Sequence, residues 1–174
     1  MHECHVVCGA PAAGKSTYSR SLAQRLGACL LDSDTLAGRL VTAGMTLAGL
    51  DPDDRDSPEY KRAYRLPVYE ALFDVARANL SHAPVVICGP FTSEWQREAW
   101  PEELRTRLGT DPELHFVWCD EDLRRRRMRE RGEARDRQKL ADWESFRTGS
   151  REDRPVWPHR FIDTGEEDQS CNSR

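Results

Sequence analysis

Five short apolar runs, at residues 5–8, 28–31, 85–88, 114–119 and 160–163, punctuate the chain, and between them apolar residues recur every three or four positions. Continuous apolar runs of this length read as strands buried on both faces, and the intervening period reads as amphipathic helices. Tyr18, Leu22, Ala23 and Leu26 mark the first helix, which Gly27 ends. Residues 35–41 read as a short second helix. Residues 44–56 form a long connection rich in glycine and aspartate, either a functional loop or a solvated acidic one. Ser57-Pro58-Glu59 is a helix start, and Tyr64, Val68, Ala71, Leu72, Val75 and Ala76 keep the helical period after it. Pro67 is expected to kink or split that helix. Residues 93–100 and 102–108 read as helices broken at Pro101. Residues 122–131 read as a helix with only Leu123 and Met128 apolar, and Leu140, Trp143 and Phe146 as a stripe on another. Residues 165–174 read as a polar, disordered tail.

Strands alternating with helices predict an α/β fold, a parallel sheet covered on both faces. Ligands of such sheets gather beyond the carboxyl ends of the strands. Gly9, Asp32, Asp34, Gly89, Phe91 and Asp120 all sit at such ends and should converge.

Composition narrows the class. At 174 residues, 38% hydrophobic and 32% charged, the chain suits one globular domain. No run approaches the ~18 apolar residues of a membrane span. The first strand begins too early to leave room for a signal peptide, so a cytoplasmic protein is expected. A net charge of −4 argues against a general nucleic-acid binder, although a local basic patch leaves that reading open. Cys8, Cys29, Cys88 and Cys119 fall in or beside apolar runs, as buried thiols of a reduced compartment do. His2, Cys4 and His5 match no standard zinc spacing.

The sharpest chemistry lies at Gly9-Ala10-Pro11-Ala12-Ala13-Gly14-Lys15-Ser16-Thr17. This is the Walker A pattern, placed between a strand and a helix. Its backbone N–H groups and the following helix terminus suit phosphates. Lys15 is expected to reach the β- and γ-phosphates, and the Ser16 hydroxyl to hold Mg²⁺.

Phosphoryl transfer also needs a metal carboxylate, an aligned acceptor and positive charge on the moving group. Asp32 is assigned to Mg²⁺ through water, and Asp34 to the acceptor hydroxyl as orienter and general base. The alternative is that one of them caps the helix at Thr35. Arg127, Arg131 and Arg135 are spaced four apart and would share a face of a continuous helix. Arg127 is expected over the adenine ring, with Arg131 and Arg135 closing on the phosphates. Arg124, Arg125 and Arg129 read as a solvated charge run. Phe91, Trp95, Trp100 and Tyr60 are expected to flank the acceptor, and the aspartates of 51–56 hint at a cationic one.

Together, the Walker A loop, Asp32-Ser33-Asp34 and the Arg127…Arg131 pair resemble the small P-loop kinases. That group includes shikimate, gluconate and adenylylsulfate kinases, chloramphenicol phosphotransferase, zeta-type toxins and polynucleotide 5′-kinases. Asp32-Ser33-Asp34 is similar to the shikimate-kinase form. Arg135-Asp136-x-x-Lys139 is similar to the lid of AAA-type kinases in the zeta-toxin and polynucleotide-kinase-like branch. The chain departs from many relatives at Cys88-Gly89-Pro90, where a Walker B aspartate would stand. The resemblance implies a three-layer P-loop NTPase fold with sheet order 2-3-1-4-5 and a helical lid at about 127–142, within a kinase domain of 1–165. It implies ATP and Mg²⁺ as cofactors, and γ-phosphate transfer to a hydroxyl of a small molecule such as a sugar, nucleoside or antibiotic. Two alternatives are a polynucleotide 5′-hydroxyl or aminoacyl-tRNA kinase, and a non-catalytic ATP-binding regulator.

Overall fold

The computed structural model describes residues 1–149 and 154–165. Five parallel strands, β1 (Cys4–Gly9), β2 (Cys29–Asp32), β3 (Val85–Cys88), β4 (Glu113–Trp118) and β5 (Arg160–Asp163), form one sheet in the order β2-β3-β1-β4-β5. Of the expected tail at 165–174, Gly165 is held by Asp163 Oδ1 at 2.8 Å, and residues 166–174 lie outside the described residues. No helix among them is long and apolar enough to cross a membrane.

Alternation along β1 divides the core into two layers. Cys4, Val6 and Cys8 face α4 (Leu66–Asn79) and α5 (Trp100–Leu108), where they meet Leu72, Ala76, Leu104 and Leu108. Val7 faces α1 (Lys15–Leu26) and packs with Leu22 and Ala23. Gly27, at φ 59°, ends α1 by donating to carbonyls of the last turn.

Several boundaries differ from the sequence expectation. α2 runs over Ser33–Leu47, absorbing Gly38 and Gly44. A Cβ on Gly44 would stand 2.3 Å from the Tyr64 hydroxyl, so the close crossing of α2 and the segment before α4 favours glycine there. The acidic connection shrinks accordingly. Beyond it, α3 (Pro58–Tyr60) continues through a π-helical turn (Lys61–Arg65) into α4. The wider turn accommodates Pro67, which lacks a backbone donor, and the chain stays helical through it.

Residues 92–99 form turns rather than a helix, and Pro101 occupies the first turn of α5 instead of breaking a helix. Phe91 adopts φ 46° and turns its ring into the core against Tyr69, Phe73 and Trp100. The polar helix α6 (Glu121–Arg131) stops at Gly132, φ 63°. A 3-10 turn (Ala134–Asp136), α7 (Arg137–Ala141) and α8 (Trp143–Gly149) follow, so the Leu140, Trp143 and Phe146 stripe is divided between two short helices.

Candidate active site

A cavity of about 400 Å³ opens at the carboxyl ends of β1, β2 and β3. Its floor is the loop between β1 and α1. Gly9 leaves the strand at φ 148°, and a Cβ there would meet the Val117 carbonyl oxygen at 2.2 Å. The loop therefore lies too close to β4 for any side chain at this position. Ala12 at φ 63° and Gly14 at φ 92° complete the bend. No side chain caps α1, so its first N–H groups are left for a ligand. Pro11, Ala12, Gly14, Lys15, Ser16 and Thr17 line the cavity. Gly9, Ala10 and Ala13 form the loop beneath, with Ala13 buried in the core.

Lys15 donates from Nζ to the Ala10 carbonyl at 2.7 Å, arching over its own loop. Burial pushes its pKa below the usual 10.5, and the charge of Asp34 is among the effects opposing that shift. An anion arriving in the loop would hold the ammonium charged.

Asp32 ends β2 and plays two parts. Its Oδ1 accepts from the Asp34 and Thr35 N–H groups at 3.1 and 2.9 Å and caps α2. Its Oδ2 accepts from the Ser16 hydroxyl at 3.3 Å. The Ser16 hydroxyl and a carboxylate oxygen thus stand side by side, the hard oxygen pair that a hydrated Mg²⁺ takes. The structure settles which aspartate caps: Asp32, not Asp34. Asp34 lies in the first turn of α2, lines the cavity, and pairs with the Arg135 guanidinium at 2.5 Å.

Arg127, Arg131 and Arg135 all line the cavity, but not as one helix face, because Gly132 separates Arg135 from α6. Arg127 donates to the Thr164 hydroxyl and carbonyl at 2.9 and 3.0 Å. It is thereby fixed near Gly14, where an added Cβ would stand 3.1 Å from the Thr164 side chain. Arg131 donates from Nε to Asp136 Oδ2 at 2.6 Å, and Asp136 is 1% exposed. Lys139 pairs with Asp56 at 2.7 Å and donates to the Arg135 carbonyl, joining α7 to the acidic connection. Spacing alone could not show these partners: Asp136, Asp56 and Thr164 are distant in sequence or hidden in a charge-rich run.

Other expectations need correction. Phe91, Trp95 and Trp100 are buried in the core and do not flank the cavity, whereas Tyr60 does. Asp120 caps α6 through the Asp122 N–H at 2.8 Å and is not among the cavity-lining residues. Arg124, expected in solvent, is 1% exposed. In the acidic connection, Asp51 and Asp54 are engaged by backbone N–H groups and Asp56 by Lys139, which removes the hint of a cationic acceptor. The wall beyond Asp34 instead carries Arg55 and Lys61, together with Arg65 and Lys139, which are paired with Glu94 at 2.8 Å and Asp56 at 2.7 Å. Arg55 also lies over the Tyr60 ring.

Among known proteins, a family model described as an AAA domain matches residues 4–152. A shikimate kinase of Thermobifida fusca (strain YX) is 39% identical over 84 residues, 48% of this chain and 43% of that one, so the match spans under half of the relative. A crystal structure from Chloroflexus aurantiacus J-10-fl, of a protein assigned provisionally as a kinase, superposes with a TM-score of 0.68 at 23% identity, covering 97% of this chain and 91% of that one. A sugar kinase from Janibacter sp. HTCC2649 gives 0.60 at 16% identity, covering 94% and 86%. At these identities the two crystal structures establish a shared fold.

Proposed function

This chain belongs to that AAA-domain family, and from that premise we propose that it is an ATP-dependent phosphotransferase acting on a hydroxyl of a small molecule. One observation carries the reading: Lys15 of the phosphate loop and the Asp34 carboxylate line the same cavity, which Arg131 and Arg135 line as well. Lys15 and the loop N–H groups would bind the phosphates of ATP. Ser16 and Asp32 would hold Mg²⁺, which supplies neutralising charge at the phosphates when bound. Asp34 would align the acceptor hydroxyl and accept its proton. Arg131 and Arg135 would stabilise the charge on the transferring group, with helices α6 and α7 serving as the lid. The kinases among its relatives and the cavity's volume of about 400 Å³ support a small acceptor. Arg55 and Lys61 on the wall beyond Asp34 favour one that carries a carboxylate or phosphate besides its hydroxyl. The free cysteines among the described residues, four of them buried, suit a cytoplasmic setting.

The test is a screen of sugars, sugar acids, nucleosides, aminoglycosides and 5′-hydroxyl oligonucleotides with labelled ATP. With the acceptor found, Asp34→Asn should retain ATP affinity while turnover falls by ~10²–10⁴, as expected on removing a general base. Nucleotide binding with no labelled product from any acceptor class would replace this reading with that of a non-catalytic ATP-binding regulator. A large loss of ATP affinity in Asp34→Asn would move Asp34 to the metal.

A further inference from the structure

The opposite end of the sheet holds a second concentration of chemistry, independent of the phosphotransferase reading. His5 on β1 is the register partner of Glu113 on β4, and His115 lies two residues further along the same strand. The strand period therefore turns Glu113 and His115 to the face that His5 shares. His5 is 6% exposed and His115 1%. Their ring nitrogens, His5 Nδ1 and His115 Nε2, stand 3.1 Å apart. The Glu113 carboxylate approaches His5 Nδ1 through Oε2 at 3.6 Å and His115 Nε2 through Oε1 at 3.9 Å.

We propose that His5, Glu113 and His115 form a binding site for a divalent transition metal, with zinc the ion that fits the donor set. Two imidazole nitrogens and one carboxylate oxygen, with a fourth position open, are a donor set zinc takes. Donors ~2.0–2.2 Å from a tetrahedral ion stand roughly 3.3–3.6 Å from one another. The observed separations bracket that value, so small side-chain adjustments bring the three donors onto one ion. Glu113, whose side chain is 41% exposed, gives the ion a path from solvent.

The surrounding groups match what such a site requires. His115 Nδ1 is 2.8 Å from the Tyr18 hydroxyl. With Nδ1–H donating to that oxygen, the lone pair of Nε2 points into the cluster. On the other ring, His5 Nε2 is buried without a hydrogen-bond partner, 3.6 Å from the Glu3 carboxylate. A metal on Nδ1 places the ring proton on Nε2, facing that carboxylate, an arrangement that orients metal-bound histidines. Arg160 donates to Glu113 at 2.6 Å and steadies the carboxylate from outside. A simple histidine pair in the core explains the ring–ring contact. It does not call for a carboxylate 3.6 and 3.9 Å from the two facing nitrogens, the spacing of donors around one ion. The cluster differs from the His2, Cys4, His5 tract considered from sequence, because Cys4 points to the opposite face of β1.

The experiment strips the full-length chain with a chelator and titrates it with Zn²⁺ against a chromophoric competitor. Co²⁺ is used in parallel for its ligand-field absorption. One equivalent per chain is expected, with a low-coordinate Co²⁺ spectrum displaced by zinc. Glu113→Gln, at a partly exposed position, should weaken zinc binding at least ~10-fold, and Tyr18→Phe by ~10–100-fold through the orientation of His115. Asp32→Asn, at the nucleotide site, should leave zinc affinity unchanged. Absence of binding at micromolar zinc, or equal affinity in Glu113→Gln and the parent chain, overturns the proposal. His5→Gln is a second ligand variant, and Glu113→Gln decides the matter even if His5→Gln does not fold.

Discussion

Asp32 shows how one side chain can serve fold and site together. Its Oδ1 holds the start of α2 and its Oδ2 faces Ser16. Two substitutions separate the roles. Asp32→Asn keeps an oxygen for the cap and removes the charge beside Ser16. Its stability should stay within ~0.5 kcal/mol of the parent, while Mg²⁺-dependent turnover falls at least ~10-fold. Asp32→Ala should lose turnover and ~1 kcal/mol of stability besides, read from denaturant midpoints at unchanged m-value. If Asp32→Asn were as unstable as Asp32→Ala, the cap would depend on charge rather than on an acceptor oxygen. Sequence left open which aspartate caps because both flank the same turn. The helix starts two residues before Thr35, at Ser33, and that start places Asp32 in the capping position. Lys15, Ser16 and the loop glycines were legible because their geometry is local. His5, Glu113 and His115 were not, since strand register over more than a hundred residues brings them together.

At the scale of elements, the charge-rich segment over the cavity is held by ion pairs as much as by apolar packing. Its two halves meet at Gly132, and the Arg131–Asp136 pair bridges that break. Asp136 Oδ1 is buried and has no hydrogen-bond partner, so Arg131 is the charge that compensates this carboxylate. Arg131→Ala should therefore lose stability as well as turnover, on the order of 1–3 kcal/mol from the exposed need of Asp136. Adding Asp136→Asn removes the stranded charge. The double variant should recover most of the melting temperature and none of the turnover. Recovery of both would make Arg131 a scaffold for the lid rather than a partner of the phosphates. The arginine spacing made the segment visible in the sequence, but a four-residue period cannot reveal a Gly132 stop that allows a change of direction. Tertiary packing overrode local signals elsewhere too: α2 passes through Gly44 because Tyr64 needs the space, and the turn after β3 folds Phe91 inward.

For the whole molecule, the arginine run bears on the choice between a small acceptor and a nucleic acid. A solvated run would be a phosphate-binding stripe. The structure instead turns much of it inward: Arg124 is buried, Arg125 lies over Trp143, Arg127 is tied to Thr164, and Arg131 and Arg135 pair with aspartates. Arg126 faces Glu130 across one turn of α6. Few of these cations are presented together on a surface, and the net charge of −4 repels a polyanion further. Six arginines acting together on a single strand would give a log K against log salt slope of about −4. We expect a slope shallower than about −2 and weak binding for a 5′-hydroxyl oligonucleotide, measured by fluorescence anisotropy across salt. A steep slope, retained in Lys15→Ala, would show a phosphate-tracking surface outside the loop and restore the polynucleotide or tRNA kinase reading. The sequence alone could not choose, because it counts charges without their partners. The fold brings Arg127, Arg131 and Arg135 to the cavity and gives Arg124, Arg125 and Arg126 partners elsewhere.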